Sequence, residues 1–298
     1  METLIPEWTE YELSDSGDGK KLERFGEFRL IRPEPQAKWS PTLPAQRWEM
    51  ADGEFSKTRG GQQGEWEFRR PIPARWAMQR KNLKFWVQPA PSGHVGVFPD
   101  QAGHWDWIEE ITKGAAKPVK MLCLFGHTGL ATLAAAAAGA EVTHVDGSRK
   151  AVAWGQENQA LSELSERPIR WIVEDAMTFA KREARRGSRY DALVLDPPRF
   201  GRGPDGEIWK LDESLPELMA ACGKLLSDSP AFVLLNVYST VLTKGRIEKA
   251  AEELRRHLKK ILQELQVAIT AGELAIEDST RRRISASVFA RAEAKRSG

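Results

Sequence analysis

The 298-residue sequence predicts an α/β fold: a mostly parallel sheet with its last strand antiparallel, preceded by a small β-rich domain. Three observations predict it. From about Trp105 onward, apolar strand-like runs alternate with helical patterns, the mark of βαβ units. The last two strand-like runs are joined by a short charged turn, which leaves no room for the crossover that a parallel pair needs. The first third reads differently. Eight of the eleven tryptophans fall before residue 110, at Trp8, Trp39, Trp48, Trp66, Trp76, Trp86, Trp105 and Trp107, and most of the prolines lie there too. Turn signals such as Ser16-Gly17-Asp18-Gly19, Arg59-Gly60-Gly61 and Pro91-Ser92-Gly93 break it into short runs, among them Glu27–Ile31, Trp66–Phe68 and Leu83–Val87, that suit small antiparallel strands. The division is expected at residues 1–100 and 101–298.

In order, the second part reads as strand Val119–Phe125, then helix Gly129–Ala138 stopped by Gly139, strand Val142–Val145 and helix Ser148–Leu164. Strand Ile169–Val173 and a basic helix near Ala176–Arg186 follow. Strand Ala192–Leu195 then runs into an irregular loop before helix Asp212–Leu226. Strand Ala231–Asn236, helix Arg246–Leu265 and strands Val267–Ile276 and Ile284–Ala290 complete the pattern. The alanines from Ala134 to Ala138 mark a closely packed helix face.

Composition narrows the partners. The 44 Lys and Arg nearly cancel the 42 Asp and Glu, so a polyanion must be met by local patches rather than by overall charge. Cys123 and Cys222 stand far apart and the histidines are scattered, which fits neither a disulfide framework nor a metal site. The N-terminus shows no signal-peptide pattern, and the run Leu130–Ala140 is too short to span a bilayer. A cytoplasmic protein is expected.

Four sites gather at strand ends. Leu124-Phe125-Gly126-His127-Thr128-Gly129 joins a strand to a helix, where glycine permits close backbone approach and the helix start offers N–H groups. A tight turn without a ligand would read the same way. Asp146 ends the next strand, 17 residues after Gly129, where nucleotide binders place an acid on ribose hydroxyls. It could instead cap the following helix, a role Ser148 fills equally well. Glu174-Asp175-Ala176 closes the third strand, suited to an adenine amino group or to another cap. Together these predict a nucleoside cofactor. The fourth site is Asp196-Pro197-Pro198-Arg199-Phe200. Its prolines fix φ and lack donors, leaving carbonyls and an aspartate as a fixed acceptor cluster beside an aromatic face. Such a cluster can hold and stack a planar base.

Asp-Pro-Pro-x-Phe after the fourth strand, with Phe-x-x-Thr-Gly after the first, resembles the class I methyltransferases of Rossmann-like fold. The likeness covers residues 93–244. More narrowly the sequence is similar to the bacterial large-subunit rRNA base methyltransferases of the cytosine carbon-5 and guanine nitrogen-7 types. The resemblance implies S-adenosylmethionine as cofactor, RNA as partner, and Phe98 and Gln101, in His94-Val95-Gly96-Val97-Phe98-Pro99-Asp100-Gln101, as walls for the methionine half. By the same resemblance Asp196, Pro197, Pro198 and Phe200 hold the acceptor base, with Asp196 also beside the cofactor.

Two departures follow. Relatives of the cytosine type begin with an extra RNA-binding module, for which there is no room before the β-rich domain. They also carry a cysteine just after the fifth strand, where Leu235-Asn236-Val237-Tyr238-Ser239-Thr240 places Tyr238. Cytosine carbon-5 needs a thiolate at carbon-6, whereas a nitrogen needs only a lone pair aimed at the methyl group. A nitrogen acceptor is therefore preferred. Arg69, Arg70, Arg75, Arg80, Lys81 and Lys84 interleave with Trp76, Phe85 and Trp86, as unpaired RNA would require. Lys181, Arg182, Arg185 and Arg186 on one helix, and Arg281–Arg283 at a turn, are further basic groups that plain surface would also explain. The alternatives are a small-molecule or protein methyltransferase, which the near-neutral charge allows, and a non-catalytic module on ribosomal particles, which the missing cysteine allows.

Overall fold

In the computed structural model, residues 1–58, 64–238, 247–263, 265 and 267–294 are described. The turn Arg59-Gly60-Gly61 and the stretch from Ser239 to Arg246 lie outside the described residues. Contacts divide the chain into two compact units. One holds Met1–Leu4, Ala102–Leu274 and the segment from Ala286; the other holds Ile5–Gln101 with Ala275–Ser285.

In chain order, β1 (Glu2–Leu4) belongs to the first unit. The second unit contains β2 (Tyr11–Gly17), β3 (Lys20–Phe25), β4 (Phe28–Pro33), α1 (Ala45–Glu49), β5 (Gly53–Lys57) and β6 (Gly64–Phe68), in a five-stranded sheet ordered β2-β3-β4-β5-β6. A separate ribbon pairs β7 (Trp76–Arg80) with β8 (Leu83–Val87). Alternate residues of both ribbon strands are buried, the period-2 pattern of strands with one face on a core. Asp15, fully buried, knits this unit together. It accepts from the amides of Thr42 and Leu43 and from the Trp48 indole, and pairs with Arg282.

After β1, the first unit continues with α2 (Ala102–Lys113), a helix the sequence pattern does not reveal. Then come β9 (Lys120–Leu124), α3 (Leu130–Ala137), β10 (Glu141–Asp146), α4 (Arg149–Leu161), β11 (Ile169–Val173), α5 (Ala176–Arg185) and β12 (Ala192–Leu195). The irregular loop expected next contains instead a small hairpin, β13 (Phe200–Arg202) and β14 (Ile208–Lys210). After it come α6 (Leu211–Gly223), β15 (Phe232–Tyr238), α7 (Ile247–Ile261), β16 (Val267–Glu277) and β17 (Arg283–Ala294).

The eight-stranded sheet runs β1-β16-β17-β15-β12-β9-β10-β11. Strands β11, β10, β9, β12 and β15 pair in parallel, and β17 lies antiparallel to β15. The central strands are apolar on both faces because helices cover both. Leu122, Leu124, Leu193, Leu195 and Leu235 face one cluster with α5, α6 and α7, while Met121, Cys123, Val194 and Leu234 face the other with α3. Ala135 and Ala136 pack without exposure, so the small side chains let α3 sit close to the sheet. Gly139, at φ +100°, ends that helix in a conformation that favours glycine. Register aligns Leu124 with Val145 and Leu195, and Asp146 with Val173, which brings the carboxyl ends of four strands to one edge. Ligands of open α/β sheets bind at such an edge.

Candidate active site

The chain leaves β9 through a tightly bent loop. Phe125, His127 and Gly129 all adopt left-handed backbone, at φ 57°, 48° and 85°. For Phe125 and His127 this costs on the order of 1 kcal/mol each, so the surroundings must hold the loop in place. Asp146 does so: its Oδ2 accepts from the His127 amide at 2.9 Å, and its Oδ1 from the Ser148 amide at 2.8 Å. Asn158, fully buried, donates to the Thr128 carbonyl at 3.0 Å. Gly129 then N-caps α3 without any side-chain hydrogen bond. The first turn of that helix therefore presents main-chain donors at its positive end.

Packing gives the glycines a physical reason of its own. A Cβ on Gly126 would stand 2.3 Å from the His144 ring, and one on Gly129 would stand 2.7 Å from Trp171. Side chains packed against the loop exclude larger residues there. His144 is fully buried with Nδ1 2.9 Å from the Thr132 hydroxyl, and burial pushes its pKa down to about 3, so the ring is neutral.

The caps sort themselves clearly. Ser148 Oγ accepts from the Ala151 amide at 3.2 Å and caps α4, which leaves Asp146 as an anchor of the loop. Burial raises the Asp146 pKa, against the lowering effect of its two amide donors. Asp175 caps α5 by accepting from the Thr178 amide at 2.8 Å. Glu174 is paired with Arg182, and Ala176 opens the helix.

On the neighbouring strand, Asp196 Oδ1 accepts from Asn236 Nδ2 at 2.6 Å. Pro197 is buried and Phe200 is 48% exposed. The Pro198 carbonyl, expected as an acceptor for a ligand, is instead taken by the Trp209 indole at 2.7 Å. Trp209 is buried under the hairpin, its ring 4.9 Å from that of Phe125, and this locks the hairpin to the glycine loop. The hairpin also reaches the strand ends: a Cβ on Gly147 would sit 3.5 Å from the Arg202 carbonyl, and one on Gly203 would sit 3.0 Å from Asp175 Cβ. The pairs Phe200 with Lys210 and Arg202 with Ile208 form the exposed face. Loop, acid and acceptor motif thus make one cluster, with two cations and two apolar side chains on its outer surface.

Cys123 lies buried within β9 and Cys222 within α6, and burial pushes both thiols up to about 12. Neither is a thiolate near neutrality. Tyr238 ends β15 with 41% of its surface exposed. Asn236, two residues before it and 1% exposed, is a site residue that the motifs do not mark. Its only sequence signal is a lone amide inside an apolar strand.

Phe98 and Gln101 belong to the other unit, at the 3-10 turn Pro99–Gln101, where the Gln101 amide donates to the Phe98 carbonyl at 3.1 Å. In that unit the basic and aromatic residues do not form the single exposed cluster that the sequence suggests. Phe85 is fully buried and Trp76 nearly so, hence both are core residues. Arg70 pairs with Asp52 and Arg69 with Glu54, while Arg75 lies 4.3 Å over the Trp86 ring. Lys181, Arg182 and Arg186 pair with Glu217, Glu174 and Glu183, and Arg281 and Arg283 pair with Glu277. Among the described residues, no three His, Cys, Asp or Glu side chains group as a metal site would require, and no helix is long and apolar enough to cross a membrane.

No family profile matches the chain. Among curated proteins it is similar to the ribosomal RNA large subunit methyltransferase K/L of Hahella chejuensis, 29% identical over 185 residues, covering 61% of this chain and 24% of that protein. The protein of the same name from a Shewanella species is 32% identical over 145 residues, covering 48% and 20%. The chain thus spans about a quarter or less of the length of these relatives. A methyltransferase structure from Streptococcus mutans, at 17% identity over 95% of this chain and 75% of its own and with a TM-score of 0.68, shares the fold. The crystal structure of the SAM-dependent methyltransferase from Agrobacterium tumefaciens is 39% identical, covers 99% of this chain and 94% of its own, and superposes with a TM-score of 0.91. With the parallel sheet, the terminal antiparallel strand and the clustered strand-end motifs, this likeness places the chain in the S-adenosylmethionine-dependent methyltransferases of class I fold.

Proposed function

We propose that the protein methylates a base of ribosomal RNA in the cytoplasm, with a ring or amino nitrogen as acceptor. The observation that carries this reading is the cluster at Asp196, where a positioned carboxylate, a rigid Pro197-Pro198 turn and the half-exposed ring of Phe200 stand beside the glycine loop. Such a set takes a planar base by an N–H group and by its face. Arg202 and Lys210 flank Phe200 on the hairpin surface, where a phosphate backbone would pass. The curated relatives' names, which refer to large-subunit rRNA, support the same substrate class. The β-rich domain of residues 1–100 serves as the second RNA contact.

The fit of the cofactor rests on the donor set. The start of α3, which no side chain caps, suits the methionine carboxylate, because the first main-chain N–H groups of a helix have no intrahelical partner. Asp146 takes the ribose hydroxyls, with Ser148 beside it, and Glu174, Asp175 and Ala176 take the adenine. Asp196 would sit next to the transferred methyl group. S-adenosylmethionine supplies an electrophilic methyl; the chain's residues supply position. A nitrogen lone pair held in line would take the methyl as the sulfur–methyl bond breaks and S-adenosylhomocysteine leaves. Asp196 would accept a hydrogen bond from the base as positive charge develops on it, and take the proton that an amino nitrogen sheds. Both buried thiols stand outside this scheme, which favours the noncovalent nitrogen route.

The test is transfer of tritiated methyl from S-adenosylmethionine to protein-free large-subunit rRNA from a strain lacking the gene. Label in one RNA position is the expected result. Label confined to protein or to small molecules would refute an RNA substrate.

A further inference from the structure

A buried polar chain leads from the far side of the sheet to Asp196. Arg291 on β17 donates from Nε to His104 Nδ1 at 3.1 Å, and its Nη2 donates to the Gly103 carbonyl at 2.9 Å. A guanidinium has no acceptor, so Nδ1 of His104 must receive. The remaining proton of a neutral ring then sits on Nε2, which lies 3.4 Å from Asn236 Oδ1. Ser287 also donates to that oxygen, at 2.9 Å. With its carbonyl doubly engaged, Asn236 can face Asp196 only with its amide nitrogen, and the 2.6 Å contact with Asp196 Oδ1 has that sense. Every link runs one way, because Arg291 fixes the first.

Burial makes the arrangement informative. His104, Asn236 and Ser287 are each 1% exposed and Arg291 6%. Burial, with Arg291 adding to it, holds the His104 pKa well below the usual imidazole range, so the ring is neutral as the chain requires. Arg291 stacks over the rings of Trp107 and Phe289, and His104 meets Phe289 edge-on. Apolar residues would fill this space without the desolvation cost of a guanidinium and three polar side chains. What the polar chain adds is a single orientation for the one acid at its end.

We propose that Asn236 is a positioning residue for methyl transfer, held in one orientation by Arg291 and His104 so that its amide fixes the Asp196 carboxylate against the acceptor base. This rests on the reading of Asp196 as the group that holds the base, and the experiment separates the two.

The full-length protein labelled with [13C]aspartate gives a carboxyl resonance for Asp196, assigned by its loss in Asp196→Asn. Asn236→Ala and His104→Phe should both move that resonance. His104→Gln should leave it in place, because a glutamine can accept from Arg291 and donate to Asn236 in the same order. Single-turnover methyl transfer into the large-subunit rRNA should slow at least ~10-fold in Asn236→Ala and His104→Phe and stay within about threefold of native in His104→Gln, while S-adenosylmethionine affinity stays within about twofold throughout. A resonance unmoved by Asn236→Ala, or a His104→Gln protein as slow as His104→Phe, would overturn the proposal. An Asp196→Asn protein that transfers methyl at the native rate would remove the base-holding reading instead, whatever the resonance does.

Discussion

Asp146→Ala should do two things at once, and the structure sets their size. The carboxylate accepts one amide at each oxygen, and one of those amides belongs to His127 in its strained left-handed conformation. Hydrogen bonds to a charged acceptor contribute roughly 1.5–3 kcal/mol each. Removing a half-buried carboxylate recovers part of that through relief of its desolvation, as the raised pKa of Asp146 indicates. A net loss of about 2 kcal/mol remains, which for a cooperative unit of roughly 150–250 residues lowers Tm by about 4–8 °C. Without its hydrogen bonds to the ribose hydroxyls, S-adenosylmethionine should also bind more weakly by ~1–3 kcal/mol, or about 5- to 150-fold. Thermal unfolding without ligand reads the first effect, and titration calorimetry reads the second. An unchanged Tm would refute the anchoring role. An unchanged affinity would take the ribose away from Asp146.

Other expectations follow from single contacts. Gly126→Ala should cost more than ~2 kcal/mol of stability and abolish cofactor binding, since the new Cβ meets the His144 ring at 2.3 Å; a well-folded, binding-competent variant would show that the loop can shift. Asp196→Ala should eliminate turnover while calorimetry finds S-adenosylmethionine affinity nearly intact, as expected when the contact removed acts in the transition state. Cys123→Ser and Cys222→Ser should both stay active, and RNA carrying 5-fluorocytosine should give no stable adduct on a denaturing gel, because both thiols are buried with pKa values pushed up to about 12. In the β-rich unit, burial raises Asp100 to about 6, above its unfolded value. Its stabilising contribution is therefore complete below about pH 4 and is lost as pH rises through 6. Asp100→Asn should be neutral at pH 4 and stabilising by about 3 kcal/mol at pH 7 in denaturant melts.

What the sequence made legible follows its periodicity. The run Ala192–Leu195 is buried throughout, as a strand covered on both faces must be, and Asp146 and Asp196 fall at strand ends as their spacing implies. The physical reason for the glycines was hidden, because His144 lies 18 residues downstream of Gly126 and meets it only through the sheet. The hairpin β13–β14 escaped because three-residue strands are too short to show alternation, and Gly203, Pro204 and Gly206 read as breakers. Helix α2 was masked by Trp105 and Trp107, whose aromatic bias continues that of the preceding strands. The chain through Asn236 was illegible for a different reason: its partners lie 40, 51 and 132 residues away in sequence. In the β-rich unit Trp76, Arg80 and Phe85 are not available to a ligand, since successive residues of a strand alternate faces and these three point inward.

The most direct test of rRNA methylation at nitrogen is nucleoside mass mapping of large-subunit rRNA from three strains: one with the gene, one without it, and one restored with Asp196→Ala. A single nitrogen-methylated nucleoside present in the first strain should be absent from the other two. Identical maps in all three, or a missing methyl group on a pyrimidine carbon, would contradict the proposed reaction.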